Sequence, residues 1–208
     1  MDSAFLITSF VTLFVVIDPI GLTPLFIALT SGTDAKHRRA VALRACVIAF
    51  ALLTLFAFLG EGLLGFIGIS MPAFRIAGGI LLFLTALDML FERRTKRRED
   101  QSETEDFPDP SVFPIAIPLL AGPGAIATII LLIGQTGDLL GQISVLGVMV
   151  SVLLIALLLF LSAGLIERAL GKTGITVVTR LLGMLLAALS VQFVLDGLRD
   201  FGFATGAG

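Results

Sequence analysis

Asp18-Pro19-Ile20-Gly21 stands at the centre of an apolar stretch, Ser3 to Thr33, in which Asp18 is the only charge and has fifteen uncharged residues on each side. A carboxylate at bilayer depth costs roughly 2.5–3.5 kcal/mol on insertion scales, so such a residue is a functional candidate by default. Pro19 lacks a backbone donor and clashes with the preceding turn, so a helix should break there. In the second half of the chain the pattern returns without its charge, as Ala121-Gly122-Pro123-Gly124.

Asp at an N-cap and Pro at the first helical position both favour starting a helix. The spacing therefore predicts a half-helix from Asp18 through about Thr30 and another from Pro123 through about Gly134. Each directs unpaired N–H groups and a partial positive charge at its breakpoint. Two such ends meeting near the midplane make an anion site without a basic side chain. They suit a carboxylate, and Asp18 suits an ammonium. A small zwitterion, an α-amino acid, satisfies both. The candidate binding set is Asp18, Pro19, Ile20, Gly21, Thr23, Gly122, Pro123, Gly124 and Ala125. Gly21, Gly122 and Gly124 would let a solute approach the backbone closely. Asp18 is also the natural carrier of a coupling proton, with Na+ the other candidate ion. The competing reading makes Asp18 no more than the N-cap of a kinked helix.

The elements that must position these residues follow from composition. With 208 residues, 57% of them hydrophobic, and a mean hydropathy of +1.05, the fold class is an all-α polytopic membrane protein. The apolar runs are continuous rather than alternating, which excludes a β-barrel. Met1-Asp2-Ser3 lacks the basic start of a signal peptide, so the first helix is expected to be retained. Cys46, the single cysteine, supports neither an internal disulfide nor a metal cluster. The chain has no Trp or Tyr for interfacial belts, and its seventeen Phe residues are the substitute.

Six spans are expected, near 4–30, 41–63, 69–91, 111–134, 143–166 and 177–201, the first and fourth of them broken near the midplane. Residues 1–91 form a first three-helix repeat, 92–110 a charged cytoplasmic linker and 111–203 a second repeat, all in one membrane domain. The linker combines Arg93-Arg94-Thr95-Lys96-Arg97-Arg98 with an acidic run through Asp109. Eleven of the fourteen basic residues fall on the side of the loops after the first, third and fifth spans. That side should be cytoplasmic, with both termini outside.

Duplication is visible in the third and sixth spans. At an offset of 105, Arg75, Gly78 and Thr85 coincide with Arg180, Gly183 and Ser190. An offset of 104 aligns Pro19 with Pro123 and Gly60 with Gly164. Three spans per copy is an odd number, so the copies enter the membrane from opposite sides as an inverted repeat. Glu61 with Arg75, and Glu167 with Arg180, are candidate symmetric gating pairs; the alternative is snorkelling at the interface. His37 lies among Lys36, Arg38 and Arg39, where lipid headgroup contact is expected. Catalytic constellations, clustered metal ligands and a phosphate-binding loop are missing, so no enzyme activity, cofactor or nucleic-acid partner is expected. Self-association is left open.

Val15-Val16-Ile17-Asp18-Pro19-Ile20-Gly21 with Pro24-Leu25-Phe26, and the segment Phe113 to Ile126 around Pro114, Pro118 and Gly122-Pro123-Gly124, resemble the two signatures of the MarC family, also called the neutral amino acid transporter (NAAT) family. Arg75 to Leu82 resembles a further family pattern. The resemblance spans nearly the whole chain except the linker and tail. It implies a six-helix protein of the prokaryotic cytoplasmic membrane, distantly similar to LysE-type exporters, carrying small neutral amino acids such as glycine and alanine. Leu22 departs from the pattern, since family members often carry Asn there, and the substitution removes an amide contact to a solute. The resulting expectation is a secondary transporter working by alternating access. The alternatives are an exporter of another small metabolite or drug, and a non-transporting scaffold or regulatory subunit.

Overall fold

The computed structural model describes residues 3–91 and 109–202, with the backbone alone at Ile166, Glu167 and Lys172. Among the described residues the chain is all-helical and contains no strand. In order it forms α1 (Ser3–Ile17), α2 (Pro19–Leu29), α3 (Ala35–Ile67), α4 (Met71–Leu90), α5 (Ser111–Leu120), α6 (Pro123–Gly134), α7 (Leu139–Leu161) and α8 (Ala163–Asp200). Five spans are long and apolar enough to cross a membrane, or six when α5 and α6 count as one. Most of the linker, residues 92–108, lies outside the described residues.

Short polar caps start the helices. Asp34, Ser70 and Asp138 accept from the N–H groups of His37, Ala73 and Gly141, each satisfying a donor that the first turn leaves orphaned. At 33 residues α3 is about 50 Å long, well beyond the ~30 Å hydrocarbon core, so its basic first turns stand outside it. Large side chains such as Ile7, Leu59, Phe66 and Leu158 lie on the outer surface, as expected where lipid rather than water is the neighbour. Phe26 and Phe160 do not serve as belt residues; they stack inside the bundle at 4.6 Å, joining α2 to α7.

Several expected boundaries move. The sixth span, Thr173–Asp200, lies close to the expected 177–201, but the stretch before it, read as a loop, is helical from Ala163 up to a break at Gly171 (φ 62°) within α8. The largest departure is α5. Pro114 and Pro118 force the residues before them out of the α region, so Phe113 and Ile117 are extended. Both prolyl peptide bonds are cis. The hydrogen bonds Ile115 N–H to Pro110 O and Ala121 N–H to Ala116 O skip a residue relative to an α-helix. The first half of the expected fourth span is therefore a wide, irregular coil.

α4 and α8 form the most extensive helix pair. A Cβ on Gly79 would lie 2.8 Å from Ser190 O and 2.7 Å from Val194 Cγ2, and one on Gly197 would lie 3.0 Å from Pro72 O. Residues 72–79 thus face 190–197 and Gly183 faces Met89, so the two helices run antiparallel at backbone-to-backbone proximity. Around them, α3 packs on α5, α6 and α7, while α7 packs on α1, α2 and α3. The glycines aligned at offset 104 do not play equal parts: Gly60 is pressed against Ile130, whereas Gly164 faces open space.

At one end, Arg44 of α3 and Asp109 form a 2.7 Å ion pair, both side chains substantially exposed. Asp109 Oδ1 also accepts from the Ser111 hydroxyl and N–H. The Ser111 hydroxyl, ahead of Arg44, holds the Asp109 carboxyl below its ordinary range. A depressed carboxyl stabilises the fold above its unfolded pKa and loses that contribution as pH falls through the lowered value. Asp109→Asn should cost less than about 1 kcal/mol, and less again in 1 M salt, as read by thermal unfolding at two ionic strengths.

Candidate functional site

Asp18 is 1% exposed and lies between α1 and α2 with φ 53° and ψ 60°, the left-handed region. Asp tolerates that region because its short polar side chain bonds locally; here Oδ1 accepts from Gly21 N–H at 3.1 Å. Asp18 N–H closes α1 by donating to Phe14 O at 2.9 Å, and Leu22 N–H donates to Asp18 O at 3.0 Å. Pro19 brings no N–H, so Val15 O at the end of α1 has no helical donor four residues on. α1 and α2 nevertheless follow one another as a single 27-residue span, Ser3–Leu29. The interruption re-aims hydrogen bonds more than it bends the chain.

The second breakpoint is built differently. α5 and α6 meet at 54° across Ala121 and Gly122. Gly122 is the N-cap of α6 and supplies no side-chain bond. A Cβ on Gly122 would sit 2.3 Å from Pro118 O, because the irregular coil folds back over it. α6 then begins with Pro123, and Ile126 N–H donates to Gly122 O at 2.9 Å.

Of the candidate residues, Asp18, Pro19, Thr23, Gly122, Gly124 and Ala125 are buried, Ile20 and Gly21 are half-buried, and Pro123 is exposed. Thr23 spends its hydroxyl on Pro19 O at 3.0 Å. The two breakpoints are neighbours through Val16, two residues before Asp18: its Cγ1 lies 3.3 Å from where a Gly124 Cβ would be. Leu82 Cδ2 at 3.4 Å and Thr85 Oγ1 at 3.8 Å of α4 close the same side.

The glycines correct one expectation. The space beside Gly21 is filled by Asp18 Oδ2 and Thr179 Oγ1, which lie 2.2 Å and 2.9 Å from where a Cβ on Gly21 would be. Gly122 and Gly124 are covered by Pro118 O and by Val16 and Leu82. In this conformation the close approach made by these glycines is to the protein's own groups. Leu22, at the departure from the family pattern, is buried.

The expected gate is also rearranged. Arg75 forms its ion pair with Asp200 at the end of α8 and not with Glu61, which is exposed. The antiparallel α4–α8 pairing brings the start of one helix to the end of the other, placing Asp200 within reach. Arg180 is exposed, and the side chain of Glu167 lies outside the described residues. Thr179, which in sequence is an ordinary helical threonine, is a further polar group that shares the space beside Gly21 with Asp18.

The two helix starts now differ in chemistry. α2 is capped by its own carboxylate, which uses the Gly21 N–H. α6 has no side-chain cap, so its first N–H groups retain capacity for an outside acceptor.

Comparison with known proteins adds identity. The model of the MarC family integral membrane protein matches residues 3–201. A UPF0056 membrane protein of Archaeoglobus fulgidus is 39% identical over 95% of this chain and 93% of its own length. One from Aquifex aeolicus is 37% identical over 93% and 92%. The UPF0056 inner membrane protein YhgN of Escherichia coli is 34% identical over 93% and 96%. No solved structure gives a significant match. With its membrane-length helices and this match over nearly its whole length, the chain belongs to the MarC family of multi-pass integral membrane proteins.

Proposed function

We propose that the protein is a secondary transporter of small neutral amino acids, working by alternating access and coupled to a proton or Na+. The observation that carries this reading is Asp18, a carboxylate held at 1% exposure in mid-span beside an uncapped helix start. The solute's ammonium pairs with Asp18, and its carboxylate takes the first N–H groups of α6. Apolar neighbours such as Val16 and Leu82 suit hydrogen or methyl side chains better than polar ones. The protein carries its solute unchanged and is not an enzyme.

An inverted repeat with two broken spans underlies the cycle in this reading, the first copy being α1 to α4 and the second α5 to α8. The packing supports it. Exchanging the copies turns α3 on α5 into α7 on α1, α3 on α6 into α7 on α2, and α4 on α6 into α8 on α2, all of which occur. The α4–α8 register supports it too: an offset of 105 maps Gly79 facing Val194 onto Met89 facing Met184, and Met89 faces the adjacent Gly183. α1 also reaches α6 and α8, contacts with no equally extensive counterpart in the second copy, whose first helix is the irregular α5. In the proposed orientation the basic loops face the cytoplasm and both termini lie outside.

Purified protein in liposomes should take up or exchange labelled glycine or alanine under an imposed proton or Na+ gradient. Folded protein that moves no amino acid across a broad panel contradicts the reading.

A further inference from the structure

Threonines in membrane helices usually spend their hydroxyl on the carbonyl one turn back, and this chain follows the habit. Thr12, Thr23, Thr30 and Thr85 donate to Thr8 O, Pro19 O, Phe26 O and Leu81 O at 2.7–3.0 Å. As Thr54 and Thr128 also do, Thr179 departs from it. Its Oγ1 is buried and has no hydrogen-bond partner among the described residues. It lies instead against Gly21, 2.9 Å from the Cβ position where Asp18 Oδ2 stands at 2.2 Å. Two oxygens on two different elements, α2's cap and α8, converge on one point, and that point is kept clear by a glycine.

A buried hydroxyl left unsatisfied is expensive, so a site that retains one reserves it for a ligand. A primary ammonium offers three N–H donors in a pyramid and no acceptor. Asp18 Oδ2 takes one N–H and Thr179 Oγ1 takes a second, while the Thr179 proton turns to the carboxylate. We propose that Thr179 is a specificity-determining residue of the Asp18 site, a second acceptor that selects solutes with a primary ammonium over N,N-dimethylated and trimethylated ones. This rests on the amino acid transporter reading and deepens it. Solute entry parts α2 from α8, which in the closed arrangement hold the two oxygens together over Gly21. N,N-dimethylation leaves a single N–H, which Asp18 takes, so the Thr179 oxygen loses its partner and the methyl groups crowd Gly21.

The test is ligand-induced thermal stabilisation of the full chain in lipid nanodiscs, titrated with glycine, N,N-dimethylglycine and trimethylglycine. Wild type should prefer glycine to N,N-dimethylglycine by at least about 10-fold, equivalent to ~1.4 kcal/mol. Thr179→Val should weaken glycine by about 10-fold and collapse that preference, whereas Thr179→Ser should restore both. A Thr179→Val protein that melts earlier but keeps the wild-type preference has lost only packing, and overturns the assignment. Wild type that binds all three solutes equally overturns it as well, leaving the transporter reading intact. Wild type stabilised by none of them, while folded, removes both.

Discussion

Asp18→Asn should abolish the proposed solute uptake, reducing it to the level of protein-free liposomes, while the purified protein still folds. Asn is as good an N-cap as Asp and also tolerates the left-handed backbone that Asp18 adopts at φ 53°. Its side-chain oxygen keeps the bond from Gly21 N–H. The substitution therefore removes the charge and leaves the architecture, so a loss of transport belongs to the ammonium or ion contact. Asp18→Val is the contrasting control. A β-branched residue is a genuine outlier at that backbone, and losing the cap alone costs about 0.5–2 kcal/mol. It should lower the melting temperature as well as stop uptake. A pure N-cap role for Asp18 predicts the opposite pattern, with Asp18→Asn fully active.

The second large effect lies away from the site. Gly79→Leu should drive α4 and α8 apart, because its Cβ alone would stand 2.8 Å from Ser190 O, a backbone atom that no rotamer change can move. Helix pairs in lipid depend on such close approach, since lipid tails offer no hydrophobic penalty for separation. Overpacking of this kind costs at least about 1–3 kcal/mol, and the melting temperature should fall by roughly 5 °C or more. Gly164→Leu, which adds its bulk to open space, should change stability little. The Arg75–Asp200 ion pair closes the same seam at one end.

Much of this fold could be read from residue order because the dominant forces are local. Continuous apolar length marks a span, and Asp34, Ser70 and Asp138 announce helix starts by the cap they form. Asp18-Pro19 could be read as a cap and first turn for the same reason, and the structure has that bond. The coil at α5 was legible in principle: Pro114 and Pro118, four apart, each exclude α geometry for the residue before. The stronger break at Pro123 masks them. Gly171 is likewise a signal: the charged residues around it imitate a loop, while the chain is helical on both sides of the break at Gly171.

What residue order could not supply is contact across the bundle. Glu61 and Arg75 lie near one turn, which suggests a pair, yet antiparallel packing hands Arg75 to Asp200. Thr179 carries no local mark, and its significance arises only when α8 lies against Gly21. The glycines beside the breakpoints looked like clearances for a solute, and only the folded chain shows that Asp18, Pro118 and Val16 occupy them.

The central claim is that the carboxylate of the first breakpoint and the uncapped helix of the second hold one dipolar solute between them. A structure of the protein with bound alanine tests it most directly. The expected result has the ammonium on Asp18, the carboxylate at the start of α6 around residues 122–125, and Thr179 in contact with the bound solute. Alanine seated elsewhere, with Asp18 still folded onto Gly21 as its cap, contradicts it.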